Sequence, residues 1–289
     1  MNVQHILNEI EKTDPEVYNK LDTRRDAMKS FFKASGKVAL ATVPIAFGSM
    51  FKKAYGGNTA TIVEVLNYAL TLEYLESEFY KAVVAAPGLT VSLTGAGRAA
   101  LTTIRDHEIA HVAFLRSAIM SLSATPVTYT ASNFDLTGGN SAAGTGPFSG
   151  TNSVLLNYDI MLAVAQVFED TGVRAYKGAA GDLNSNNDIL TAALQIHSVE
   201  ARHAAHLRYM RKNAGVAVKP WITLNQSGVP APFDAAVQPS YNGEETTTQA
   251  TVNIVNIGGQ TISANAASEA FDEPLTMAQV LAIVDPFII

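Results

Sequence analysis

Two copies of one local pattern constrain this chain more than any other feature. Glu108-x-x-His111, within D-H-E-I-A-H, and Glu200-x-x-His203, within S-V-E-A-R-H, each set a carboxylate and an imidazole three residues apart. On an α-helix, residues i and i+3 share one face about a turn apart, so each motif presents two ligands to one point. Each copy is preceded by a glutamate with a tyrosine at i+7: Glu73 with Tyr80, then Glu169 with Tyr176. Glu73 and Glu169 stand as far apart in the chain as Tyr80 and Tyr176. Glu108 and Glu200 stand as far apart as His111 and His203. A lone Glu-x-x-His arises by chance on helix surfaces, but a duplicated set with matched spacing marks a repeated helical hairpin. Four helices then supply four carboxylates and two imidazoles, the ligand set of a carboxylate-bridged di-metal centre in a four-helix bundle.

The chain between these motifs reads as all-α. Breakers at Gly56 and Gly57, with Asn58 or Thr59 as cap, open a first helix from about Thr59 to Ala86, which stops at Pro87-Gly88. A second helix is predicted from about Thr94 to Leu122, a third from Ser153 to Ala180 and a fourth from Asp188 to Ala214. Between the second and third, Ser123 to Asn152 is rich in Gly, Ser and Thr and carries no helical period. A structureless stretch of about 30 residues inside a domain needs a purpose. A crossover supplies one: if helices two and three run parallel, their link must travel the length of the bundle. A 25-residue helix is about 38 Å long, and an extended chain covers that in about 12 residues. Asp182 to Asp188 faintly echoes a calcium loop, but it lacks the glycine and glutamate such a loop needs and reads as a turn.

Both ends depart from the bundle pattern. Residues 1–56 read as a helical arm, with Val3, Ile6, Leu7 and Ile10 at helical spacing, or as a signal region resembling a twin-arginine export signal. That second reading rests on Arg24-Arg25 and the apolar run Val38 to Met50. Ala27, Lys52 and Lys53 depart from the signal pattern, and the run is shorter than the about 20 residues a membrane-spanning helix needs. Location follows the choice: cytoplasmic for a retained arm, periplasmic or cell-envelope for a signal. Residues 57–214 hold the bundle. Residues 215–289, with Pro220, Pro230, Pro232 and Pro239, read as an irregular extension packed on the bundle or on a partner subunit. It has a strand candidate at Thr251 to Ile257, a short helix at Pro274 to Val284, and Trp221 as an anchor.

Composition narrows the chemistry. Hydrophobic residues make up 47% and charged ones 16%, which favours a compact fold over disorder. The net charge of -6 and the lack of a Lys/Arg run argue against nucleic acid as a partner. There is no cysteine, so thiolate sites and disulfides are excluded and metal ligands must be oxygen and imidazole. Such donors suit iron or manganese. Four glutamates balance two divalent ions, whereas four bare carboxylates in a core are unfavourable.

Within this frame Leu72 to Tyr80 (L-E-Y-L-E-S-E-F-Y) resembles the first helix of the ferritin-like superfamily, in its bacterial branch termed desiccation-related. Phe168 to Gly178 is similar to that branch's third helix, and Phe271 to Ile288 resembles its C-terminal segment. The resemblance covers about residues 58–289 with no ligand position missing, and implies a bundle with a di-iron site.

Glu73, Glu108, His111, Glu169, Glu200 and His203 are therefore the expected ligands of two iron ions, or of manganese. Glu108 and Glu200 are expected to bridge, and Glu73 and Glu169 to be terminal. Tyr80 and Tyr176 are the candidate catalytic side chains, hydrogen-bonding ligands or carrying electrons, with core packing as the plainer reading. Glu76 is an alternative ligand or a solvated residue, Asp170 and Arg174 form an i,i+4 pair, and His107, His197 and His206 fall off the ligand register. The expected activity is oxidation of Fe(II) by O2 or peroxide, or removal of peroxide. The alternative is a metal-binding or structural protein without turnover. Expected partners are metal ions, O2 or peroxide, and further copies of the chain in a homo-oligomer, with no transmembrane span.

Overall fold

Four long helices carry the four parts of the repeated pattern in the computed structural model, which describes residues 59–140 and 144–289. They are α1 (Thr59–Ala85), α2 (Gly95–Ser121), α3 (Tyr158–Ala179) and α4 (Asn187–Asn213). The arm or signal at 1–56, and Asn58 as a cap, lie outside the described residues. Local chemistry sets the ends. Asn157 Oδ1 accepts from the amides of Asp159 and Ile160 at the head of α3, and Asn186 Oδ1 does the same for Asp188 and Ile189 at the head of α4. Pro87 and Gly88 close α1 in a 3-10 turn. Gly215, at φ 93°, ends α4 in the left-handed conformation that glycine adopts without strain. The Asp182–Asp188 stretch is a helix-linking turn. The third helix starts at Tyr158, not Ser153, because 150–152 form a separate 3-10 turn and Asn157 is the better cap.

Side-chain contacts fix the topology. Arg98, early in α2, donates to the Val84 carbonyl late in α1 (2.9 Å), so α1 and α2 are antiparallel. Arg211, late in α4, donates to Gln166, early in α3 (2.5 Å), so α3 and α4 are antiparallel as well. Tyr80, late in α1, reaches Glu169 on α3, while Tyr176, late in α3, reaches Glu73 on α1; these two helices also run in opposite senses. Helices α2 and α3 are therefore parallel. Their connection begins beside Asn67, whose side chain accepts the Val127 amide (2.8 Å). It ends against Gly88, at the other end of α1, where an added Cβ would meet Leu155 O at 2.6 Å. The predicted crossover thus runs the length of the bundle.

The interior is filled by side chains such as Leu70, Leu75, Phe79, Leu115, Ile119 and Leu207. Each contributes about 1.5–3 kcal/mol on full burial. Helix α3 is buried almost all round, from Ile160 to Tyr176. A helix buried on every side needs cover beyond its bundle neighbours, and the C-terminal extension supplies it. Within the extension lie α5 (Asp234–Val237), the two-residue strands β1 (Thr248–Gln249) and β2 (Val252–Asn253), α6 (Ala264–Ser268) and α7 (Met277–Val284). The strand expected over 251–257 is a short antiparallel hairpin turning at Ala250 and Thr251.

The extension is bolted to α3 by polar groups. Arg174 donates to the carbonyls of Ser240 (2.6 Å), Asn242 (2.8 Å) and Glu273 (2.8 Å) and pairs with Glu244 (2.7 Å). Asp170 instead takes Arg208 of α4 (2.5 Å) and the Tyr241 hydroxyl (2.7 Å). The expected Asp170–Arg174 pair therefore does not form: such pairs belong to exposed helix faces, and here the extension covers that face. Gly178 makes the close approach possible, since a Cβ there would collide with Leu275 O. The crossover joins the same layer. Phe134 bridges to Ile288, the Asp135 amide donates to Phe287 O (2.9 Å), and the Phe287 ring stacks on Phe148 and meets Phe168 edge-on. Trp221 is half exposed and anchors through its carbonyl, which accepts from Arg208, and through its indole N–H, which donates to Glu269. No helix among the described residues is long and apolar enough to cross a membrane.

Candidate metal centre

Each helix brings its glutamate to the bundle axis at mid-length, where four helices exclude water. Glu73, Glu108, Glu169 and Glu200 have no exposed surface at all. Two groups of potential ligand atoms form there, each spanning no more than 4.8 Å: Glu73, Glu108, His111 and Glu200 in one, and Glu108, Glu169, Glu200 and His203 in the other. Glu108 and Glu200 belong to both. All six residues singled out from the sequence thus lie together, and the two-fold sense of the repeat is kept.

The imidazoles face the carboxylates through Nδ1. His111 Nδ1 is 3.1 Å from Glu73 and 3.0 Å from Glu108, and His203 Nδ1 is 3.1 Å from Glu169. The shared carboxylates are poorly served by the protein. Both oxygens of Glu200 and Oε1 of Glu108 are buried without a hydrogen bond. Glu108 Oε1 lies 2.9 Å from His203 Nδ1 but out of hydrogen-bond alignment. A buried carboxylate is costly when its oxygens have no partner, so these atoms suit a cation if they are ionised and otherwise favour the protonated form.

The tyrosines act across the repeat. Tyr80 on α1 donates to Glu169 Oε1 on α3 (2.5 Å), and Tyr176 on α3 donates to Glu73 Oε1 on α1. Neither serves the glutamate two turns away on its own helix. Each holds one oxygen of a terminal carboxylate and leaves Oε2 facing a histidine. Burial, then the neighbouring glutamates, push both phenols well above their ordinary range, so they remain donors.

Among the described residues, no arginine or lysine balances the charge in this centre. Arg174, Arg208 and Arg211 are buried nearby but committed to Glu244, Asp170 and Gln166. Burial, then Glu73, push Glu108 up to about 7. Burial, then Glu108 and Glu169, push Glu200 well above the carboxylate range. Burial also pushes Glu73 up, but the His111 charge and hydrogen bonds from its neighbours outweigh this and hold it low. Burial opposes charging of the histidines. Glu73 and Glu108 overcome it for His111, carrying it up to about 11, and Glu169 and Glu108 carry His203 up to about 10. Without a metal, protons do the neutralising.

Of three further neighbours, the sequence left Glu76 open between ligand, metal-entry carboxylate and solvated residue, left His107 open between a surface role and support of a ligand, and gave no signal for Gly172. Glu76 is buried, not solvated, and burial followed by Glu169, Glu108 and Glu73 push its carboxyl well up. Its repeat-related position is Gly172, where an added Cβ would lie 2.9 Å from Glu200 Oε2 and 3.4 Å from Glu76 Oε1; the missing side chain makes room for both carboxylates. His107 Nδ1 lies 2.9 Å from His203 Nε2, with the rings stacked. Burial and the His203 charge lower its own proton affinity, which suits it to accept a hydrogen bond from His203 Nε2–H while His203 Nδ1 faces the carboxylates. Its i−1 relation to Glu108 was the available signal. His197 Nδ1 bonds the Val173 carbonyl (2.9 Å), and His206 rests on Tyr209, so neither joins the centre.

A family model for the ferritin-like domain matches residues 61–213, which is just over half of the chain and nearly all of α1–α4. No curated protein matches the chain.

Proposed function

The chain belongs to the ferritin-like domain family, and from that premise we propose that its centre holds two metal ions, with iron the best fit and manganese the alternative. Glu73 and His111 would hold one ion, Glu169 and His203 the other, and Glu108 and Glu200 would be shared. The observation that carries this reading is the set of buried, unbonded oxygens on those two shared glutamates. All-oxygen and imidazole donors suit iron and manganese. Held by these residues, a ferrous pair would supply the two electrons that reduction of O2 or of peroxide requires. The protein's part is to orient and to manage protons. Tyr80 and Tyr176 fix Glu169 and Glu73, His107 sets the His203 tautomer, and Glu76 is a carboxyl able to carry a proton at an Oε atom beside the ions. The surrounding apolar helices exclude water.

The narrower likeness to the desiccation-related branch rests on Leu72–Tyr80, Phe168–Gly178 and Phe271–Ile288. Division of the chain at about residues 57 and 215, and assembly as a homo-oligomer, belong to the same proposal.

Elemental analysis and anomalous diffraction on natively purified protein test it, with oxygen uptake followed after Fe(II) addition. The expected result is two ions per chain and oxygen uptake; fewer than one ion per chain would overturn the di-metal reading. Two ions without oxygen or peroxide consumption would leave a metal-binding protein without turnover. Metal uptake should also release protons. His111, His203, Glu108 and Glu200 carry protons near neutrality in the metal-free centre, and each must lose its proton to ligate. Affinity should fall about tenfold per pH unit for each proton displaced as pH drops from 8 to 6, as titration calorimetry in buffers of different ionisation heat would show.

A further inference from the structure

The repeat that duplicates the ligands does not duplicate the packing above and below them. At one end of the centre, between α1 and α3, Phe79 meets Phe168 edge-on with ring centroids 5.2 Å apart, and Val83, one turn beyond Phe79 on α1, is fully buried. The repeat-related residues at the other end are Ala175 for Phe79, Leu72 for Phe168 and Ala179 for Val83. Three large side chains are thus replaced by three smaller ones. A cavity lies there, lined also by Tyr68, Ala69 and Tyr176, with its wall almost wholly apolar. It measures about 20 Å3, on a scale where one water needs roughly 10–15 Å3. The guest must be diatomic in size. Tyr176 stands in its wall and donates to Glu73, so the cavity abuts the metal centre. Tyr68, whose repeat-related residue is Val164, is buried with an unbonded hydroxyl.

We propose that this hollow end of the bundle is a holding site for dioxygen, set beside Tyr176 and Glu73 on the way to the metal ions; it rests on the di-metal reading above. Apolar cavities of this kind stay dry and accept apolar guests. Dioxygen fits the size and the lining. Hydrogen peroxide does not, since its two O–H groups would find one hydroxyl and otherwise hydrocarbon. The asymmetry gives the guest one end to enter from, because the Phe79–Phe168 pair fills the other.

Crystals pressurised with xenon, and in parallel with oxygen, test the cavity without reference to activity. Gas density is expected between Leu72, Ala175 and Ala179 and not between Phe79 and Phe168. A water on the Tyr68 hydroxyl with no gas density would overturn the proposal. Ala179→Val and Leu72→Phe each restore the residue of the filled end, and the first is mild enough to fold if the second overpacks. Both should abolish the xenon site and keep the metal content of the wild type. The oxygen concentration for half-maximal uptake should rise about 3- to 10-fold with little change in maximal rate, as expected for impaired access and not impaired chemistry. A filled cavity with unchanged oxygen dependence would overturn the proposal. If wild type takes up no oxygen, the di-metal oxidase reading fails, and the xenon experiment still reports separately on the cavity.

Discussion

The hairpin α1–α2 and the hairpin α3–α4 carry the same ligands and differ in almost everything around them. Arg116 and Arg208 occupy repeat-related positions and do the same job, tying the preceding helix to the chain that follows. Arg116 donates to the Tyr74 hydroxyl (2.6 Å) and to Thr128 of the crossover (3.0 Å). Arg208 pairs with Asp170 (2.5 Å) and donates to Trp221 O of the extension. The first contact is neutral and partly exposed, while the second is a fully buried ion pair. Glu76 in one half faces Gly172 in the other, His107 in one half corresponds to Val199, and Phe79 to Ala175. Where a duplicated pattern is kept, ligand geometry demands it; where it is broken, the two halves do different work.

The comparison breaks most visibly at the shared carboxylates. Glu200→Ala or Glu108→Ala should take metal content from two ions per chain to near zero, whereas Glu73→Ala or Glu169→Ala should remove about one. Elemental analysis of loaded protein separates these outcomes, and equal losses from all four variants would remove the shared-ligand assignment. Next in size is the buried pair. Asp170→Ala strands the Arg208 charge in the core and should cost about 3–5 kcal/mol, while Arg116→Ala should cost only about 0.5–1.5 kcal/mol. Denaturant melts of the two variants test this, and similar losses would mean the halves are braced alike.

A finer contrast lies at His107. His107→Ala should weaken the ion on the His203 side about 10- to 100-fold, leave the His111 side unchanged, and so turn one binding isotherm into two. Val199→Ala, its repeat-related counterpart, should change neither. The smallest effect belongs to the tyrosines. Tyr80→Phe and Tyr176→Phe each remove one hydrogen bond from a terminal carboxylate, and both should keep two ions per chain. Equal slowing of oxygen uptake in the two would support symmetrical roles, and a larger loss for Tyr176→Phe would sharpen the asymmetry by marking the cavity side.

Helices and the paired Glu-x-x-His motifs were legible in the sequence because both depend on neighbours a few residues away. An i,i+3 pair shares a face wherever the helix lies, and Pro87 acts on its own turn, whereas α3, expected from Ser153, starts only at the Asn157 cap. The crossover was legible too, since about 30 residues without periodicity must go somewhere. Partnership across helices was not. The period of α3 could not say that Asp170 would meet Arg208 while Arg174 met the carbonyls of the extension, because that depends on which segment covers the helix. The same holds for Glu76, one turn from Glu73 and equally at home in water until Gly172 is seen opposite it.

The sequence by itself determined four helices, two hairpins and the six Glu and His side chains that meet at the bundle axis, since spacing along a helix is a local and nearly rigid property. Only the tertiary structure decided which tyrosine holds which glutamate, that His107 lies against His203, and which end of the bundle is hollow. Those are contacts between residues far apart in the chain, and they are set by how much volume each helix face must share with the others.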